Sequence, residues 1–103
     1  MDTRRWPRFP FVAILIATDP LSKIAFTART SDLSLGGCYI DSVNPPPQGT
    51  TITIELVHKN RSFHALGRVV YSQHNIGAGI AFEKISAEDR EILAEWIEEL
   101  KPE

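Results

Sequence analysis

The chain of 103 residues has one cysteine, one methionine and no long apolar run. Cys38 has no internal disulfide partner, which excludes a disulfide-framed scaffold and fits a reducing compartment. The longest apolar stretch, Phe11–Ala17, is seven residues, far short of the ~20 that a spanning helix needs. Neither charge dominates: 11 Lys and Arg stand against 13 Asp and Glu, a formal net charge of −2. That disfavours long nucleic acids, whose binding needs a broad basic face. His58, His64 and His74 fall on three separate predicted elements without metal-ligand spacing, so no metal is expected. Neither Cys38 nor Ser34 has an oriented His and Asp beside it in the pattern, and an enzyme is not expected. The length corresponds to one domain.

Charge is present but unevenly placed. Arg4, Arg5 and Arg8 dominate the first eight residues, against Asp2 alone. From Ser86 to Glu103, seven acids face only Arg90 and Lys101. The near-neutral total therefore divides into a basic front end and an acidic tail. Thr3-Arg4-Arg5 ahead of an apolar run also has the look of a twin-arginine export signal. Against that reading, Pro7 and Pro10 interrupt the approach, and Asp19-Pro20 follows with no small-x-small cleavage site. The chain is read as a cytoplasmic domain whose first strand begins at Phe11.

Residues 1–10 are read as a flexible arm, because Pro7 and Pro10 remove backbone donors and favour extended geometry at Trp6 and Phe9. Phe11–Ile16, rich in β-branched and aromatic residues, is the first predicted strand. Lys23–Thr30 alternates, with Ile24, Phe26 and Ala28 on one face. Ser31–Gly37 is predicted as a turn and Cys38–Ile40 as a short strand. Thr51–Leu56 points Ile52, Ile54 and Leu56 inward. Phe63–Ser72 is a long strand whose internal Gly67 marks a bulge or barrel corner, and Ile76–Phe82 is the last strand.

At Ser86 the period becomes helical. Ser86 is an N-cap, Glu88 and Asp89 suit the first turn, and Ile92, Leu93, Trp96, Ile97 and Leu100 form one apolar stripe. The expected fold is mainly β: a six-stranded antiparallel β-barrel over residues 11–103, with one C-terminal helix, 86–100, packed over one end or face.

Two clusters carry chemistry. Arg4-Arg5-Trp6-Pro7-Arg8 places three guanidiniums around an indole. A guanidinium fork matches phosphate oxygens and the O6 and N7 of guanine, and an adjacent aromatic plane stacks on a base. Taken alone, the cluster reads more readily as a solvated basic terminus or a weak nucleic-acid patch. In Asp32-Leu33-Ser34-Leu35-Gly36-Gly37, Asp and Ser turn the chain by bonding nearby backbone, and glycines allow close approach. Taken alone, this is a polar turn. As a site, Asp32 would accept from the N1–H and exocyclic amine of guanine, and Ser34 would bond a phosphate or a base edge.

Together, Arg4-x-x-x-Arg8 and Asp32-x-Ser34-x-x-Gly37 resemble the paired motifs of the PilZ domain. The likeness covers nearly the whole chain, with Gly67-Arg68-Val69-Val70, Gly79-Ile80-Ala81-Phe82 and the helix following in the same order. The resemblance implies a six-stranded barrel with a C-terminal helix that binds the bacterial second messenger cyclic di-GMP. It places Arg4, Arg8, Asp32, Ser34 and Gly37 in the site, with Arg5 and Gly36 beside them, and no cofactor. On this reading the ligand orders the arm and changes the surface offered to a downstream protein, with no nucleic-acid polymer or membrane as partner. The alternative is a ligand-independent adaptor for motility or secretion machinery. Trp6, Arg29 and Arg68 receive no role.

Overall fold

The computed structural model describes residues 6–102. Its elements are β1 (Phe9–Pro10), β2 (Ile14–Thr18), β3 (Ala25–Leu33), β4 (Gly37–Asp41), β5 (Thr51–His58), β6 (Arg61–Gln73), β7 (Gly77–Lys84) and α1 (Ala87–Leu100). The sheet runs β1-β3-β2-β5-β6-β7-β4, and β4 pairs again with β3. Six strands thereby close into an antiparallel barrel, and β1 is an extra strand on β3. This is the expected mainly β barrel with one helix.

Alternation decides what fills the barrel. Ile52, Ile54 and Leu56 are buried as expected, and Leu15 and Ala17 meet them from β2. The β5–β6 hairpin turns on Lys59 and Asn60, both at positive φ (51° and 63°), the two-residue turn whose twist matches the strands. The bulge expected near Gly67 is there, as a register shift between Leu66 and Gly67 against β7.

Several strand ends shift by a residue or two from expectation, and three differences bear on the site or the core. The first strand does not run from Phe11 to Ile16. Phe9 and Pro10 already pair with Leu33 and Asp32, the ladder lapses over Phe11–Ala13, and pairing resumes at Ile14 opposite Arg29. Pro10 has no N–H to give, and one extra residue on this side of the ladder must be absorbed. The last two residues of the expected arm thus belong to the sheet, while Arg4 and Arg5 lie outside the described residues. The turn placed over Ser31–Gly37 is shorter, because β3 continues to Leu33. Ile24, assigned to an apolar face, precedes β3 and is 69% exposed, beside Lys23 at φ 65°.

Helix α1 covers one end of the barrel. The Ser86 hydroxyl accepts from the Asp89 N–H at 3.1 Å, which caps the first turn. Leu93, Trp96 and Ile97 are buried. The Trp96 ring lies 5.7 Å from that of Phe11 and 6.3 Å from that of Phe63. Asp89 accepts from the backbone N–H of His64 at 2.9 Å, and Glu95 meets Arg61 at 2.6 Å. Part of the acidic tail therefore fastens the helix to β6.

Replacing Trp96 by Ala should destabilise the fold by about 3–5 kcal/mol, the usual cost of emptying a buried aromatic site, read by denaturant titration. Burial pushes the Asp89 carboxyl up, but hydrogen bonds from Ser86 and His64 outweigh it and hold the group below its ordinary 3.8. The stability this confers is complete above the unfolded-state value and is lost as pH falls through the lower folded-state value. Asp89→Asn should remove that part of the acid limb in a pH series of melting temperatures.

Candidate functional site

The barrel interior is filled by apolar side chains, so polar chemistry is confined to its outer face. There four strands give one residue each to a single row. Asp32 of β3 pairs with Tyr39 of β4, Tyr39 with Gly79 of β7, and Gly79 with Tyr71 of β6.

Two irregularities build this row. In β3, Thr30 stands opposite Ile40 and Asp32 opposite Tyr39, which leaves Ser31 as an extra residue. A strict period of two would turn Asp32 inward with Thr30. The bulge turns it outward, next to fully buried Leu33. In β6 the register shifts between Val69 and Tyr71, and Val70 and Tyr71 are both about half exposed. Val70 and Tyr71 form one wall of a depression, Tyr39 rises opposite, and Gly79 and Ala81 are the floor.

The depression has a volume of about 1000 Å³. Of the first motif, Trp6 and Arg8 line it. The Arg8 guanidinium lies 3.5 Å from the Asp32 carboxylate, with side chains 45% and 24% exposed. An ion pair this exposed contributes no more than about 1 kcal/mol, so both groups are available to a ligand. Trp6 lies over Gly36 so closely that a Cβ there would come within 2.5 Å of the indole Cδ1. The role left open for Trp6 is therefore, at least, to dock the arm on the second motif.

The second motif folds around Ser34, which is 7% exposed. Its hydroxyl accepts from the N–H groups of Gly36 and Gly37, each at 3.1 Å, and lies 3.3 Å from the Gly37 carbonyl as donor. That hydroxyl, expected on a phosphate or base edge, is engaged within the turn here. Gly37 answers to strand packing: a Cβ would sit 2.1 Å from the Ile80 carbonyl oxygen. The depression thus gathers Arg8, Asp32, Ser34, Gly36 and Gly37, while Arg4 and Arg5 lie outside the described residues.

Tyr39, Val70, Tyr71, Gly79 and Ala81 are not site residues by sequence, although Val70, Gly79 and Ala81 stand in the strand motifs of the resemblance. The apolar triplet Val69-Val70-Tyr71 breaks strand alternation and was a readable sign of the bulge. The tyrosine rings are 6.4 Å apart, flat apolar surface beside a guanidinium and a carboxylate. Burial, then the neighbouring Tyr71 and the charges of Asp41 and Asp32, push the Tyr39 hydroxyl up, so it stays protonated and able to donate. Cys38, beneath the row, is also pushed up, mainly by burial and then by Asp32, as suits an inert core thiol. Arg29 and Arg68 each meet a carboxylate at 3.0 Å, Asp41 and Glu83 respectively. Among the described residues, no group of three His, Cys, Asp or Glu is placed to hold a metal, and no helix is long and apolar enough to cross a membrane.

The chain belongs to the PilZ domain family, whose model matches residues 2–99. No curated protein matches it in sequence. Among solved structures, it is similar to the PilZ domain of CeSA from a cellulose-synthesizing bacterium (18% identity, TM-score 0.74, covering 91% of this chain and 97% of that one). It is also similar to Escherichia coli YcgR in complex with c-di-GMP (21% identity, TM-score 0.77, 97% of this chain and 46% of that one). A third is the Bacillus subtilis inhibitor of motility (12% identity, TM-score 0.70, 93% of this chain and 49% of that one). At these identities the likeness is one of fold, and the chain spans about half of the latter two.

Gly37→Ala should destabilise the protein by about 1–3 kcal/mol, because the added methyl overpacks against β7 backbone that cannot rotate away. Thermal unfolding beside a Gly49→Ala control, where a Cβ meets nothing within 4 Å but φ is +93°, separates packing from backbone strain.

Proposed function

We propose that this protein is a cytoplasmic bacterial receptor module for cyclic di-GMP, a binding protein and not an enzyme. The observation that carries the reading is the Arg8–Asp32 pair at the rim of a depression walled by Tyr39 and Tyr71. A dianion with two guanine bases asks for guanidinium forks for its phosphates and guanine acceptor edges. It also asks for a carboxylate for the N1–H and amino donors, and for flat apolar surface under the bases. Membership of the PilZ family and the c-di-GMP complex of YcgR support the choice of ligand.

In this proposal Arg8, with Arg4 and Arg5, holds phosphates and base edges. Asp32 reads guanine, Ser34 with Gly36 and Gly37 shapes the turn and offers its backbone, and Tyr39 and Tyr71 carry the bases. Ligand exchanges the weak Arg8–Asp32 contact for stronger ones, completes the ordering of an arm already docked through Trp6, and changes the surface that a downstream protein meets. The second reading is a ligand-independent adaptor for motility or secretion machinery; the likeness to the inhibitor of motility supports its link to motility.

Titration calorimetry with cyclic di-GMP, GMP and cyclic di-AMP decides between them. The receptor reading expects selective binding of cyclic di-GMP. It also expects a loss of about 1.5–3 kcal/mol, roughly tenfold or more in affinity, for Arg4→Ala or Arg8→Ala. Asp32→Ala should narrow the gap between cyclic di-GMP and cyclic di-AMP. No heat at tens of micromolar cyclic di-GMP favours the adaptor.

A further inference from the structure

The chain crosses from the arm to the barrel through a gap in the ladder, and one side chain fills it. Between Pro10, opposite Asp32, and Ile14, opposite Arg29, the segment Phe11–Ala13 has no regular pairing. The Thr30 side chain, 0% exposed, lies in that gap. Its hydroxyl donates to the Phe11 carbonyl at 2.8 Å and accepts from the Ala13 N–H at 2.9 Å. The backbone bonds Phe11 N–H to the Ser31 carbonyl (3.2 Å) and Thr30 N–H to the Ala13 carbonyl (3.0 Å) flank it. Two groups that would be buried without a partner are satisfied by one hydroxyl.

Thr30 is also the last regular residue before the Ser31 bulge that turns Asp32 outward. Three residues upstream of Phe11, Arg8 faces that same Asp32. Both halves of the Arg8–Asp32 pair therefore take their register from the backbone around Thr30. We infer that Thr30 is a positioning residue for the ligand site: its buried hydroxyl sets the offset between the arm and β3 that brings Arg8 onto Asp32. The inference rests on the reading of the depression as a cyclic di-GMP site. Thr30 touches no ligand in it and acts only through the arm.

Its removal should loosen the arm while the barrel, held by six other strand pairings, stays closed. Thr30→Val keeps the shape and deletes the hydroxyl, and Thr30→Ser keeps the hydroxyl. Two readouts test the role, each on variants shown to be folded by circular dichroism at the working temperature. The first is cyclic di-GMP affinity by calorimetry. Thr30→Val should bind at least fivefold more weakly than wild type, Thr30→Ser should bind within twofold of it, and Thr30→Val should cost little further in an Arg8→Ala background.

The second readout needs no ligand. In a Trp96→Phe background the remaining tryptophan is Trp6, and Thr30→Val should red-shift its emission and raise its quenching by acrylamide. Wild-type affinity in folded Thr30→Val overturns the role, as does an equal loss with and without Arg8, or an unchanged Trp6 signal. If the wild type itself binds no cyclic di-GMP, the functional reading fails, and the Trp6 signal still decides whether Thr30 sets the arm. Should Thr30→Val not fold, Thr30→Cys, a weak donor of similar size, takes its place with the same overturning results.

Discussion

Closure of the sheet through β3 is the constraint on which the rest of the structure depends. β3 is bonded on one edge to β1 and β2 and on the other to β4, so every irregularity in it is felt on both sides. A closed barrel of this size has no lumen for a ligand, and recognition has to be assembled on its outside. The extra residue at Ser31 reconciles the two demands. It leaves Thr30 and Leu33 in the core while sending Asp32 to the surface between them. A perfectly regular β3 would close the same barrel and leave the row on the outer face without its carboxylate.

Legibility in the sequence follows how local each determinant is. Ile52, Ile54 and Leu56 were readable because one buried face imposes a period of two on consecutive residues. Ser86 and the stripe through Trp96 were readable because capping and helical spacing operate within a few positions. The start of the first strand was not, because the lapse over Phe11–Ala13 is held by a hydroxyl 17 to 19 residues away. The motifs named Arg8 and Asp32, but Tyr39 and Tyr71 meet across β7 only once three strands have paired. Ser34 shows a further limit: the residue type was noted, while its bonds to Gly36 and Gly37 give it a structural task within the turn.

Charge in this molecule works over short distances. The total of −2 describes neither end of the chain. Acids of the tail meet the hairpin and β6 through Glu95 and Asp89, which holds α1 over the barrel. In the depression Asp32 faces Arg8. Burial first, and then the Asp32 charge, push up the thiol of Cys38, and Asp32 is the smallest contributor, after burial, Tyr71 and Asp41, to the raised hydroxyl of Tyr39. With screening over roughly 10 Å at ordinary ionic strength, a small dianion in the depression would respond first to these neighbours.

The floor of the depression is defined by missing side chains, and this shapes how such a protein can change over evolutionary time. At Gly79 an added Cβ would meet its nearest neighbours at 3.7–3.9 Å, ordinary contact, whereas at Gly37 it would strike backbone at 2.1 Å. The fold therefore polices one glycine and leaves the other unguarded. Substitutions at Gly79 can make the depression shallower without threatening the barrel, so a lineage can drift from an open surface to a filled one while every member still folds. Purifying selection at Gly79 would have to come from what the surface binds, whereas at Gly37 the demands of folding already supply it.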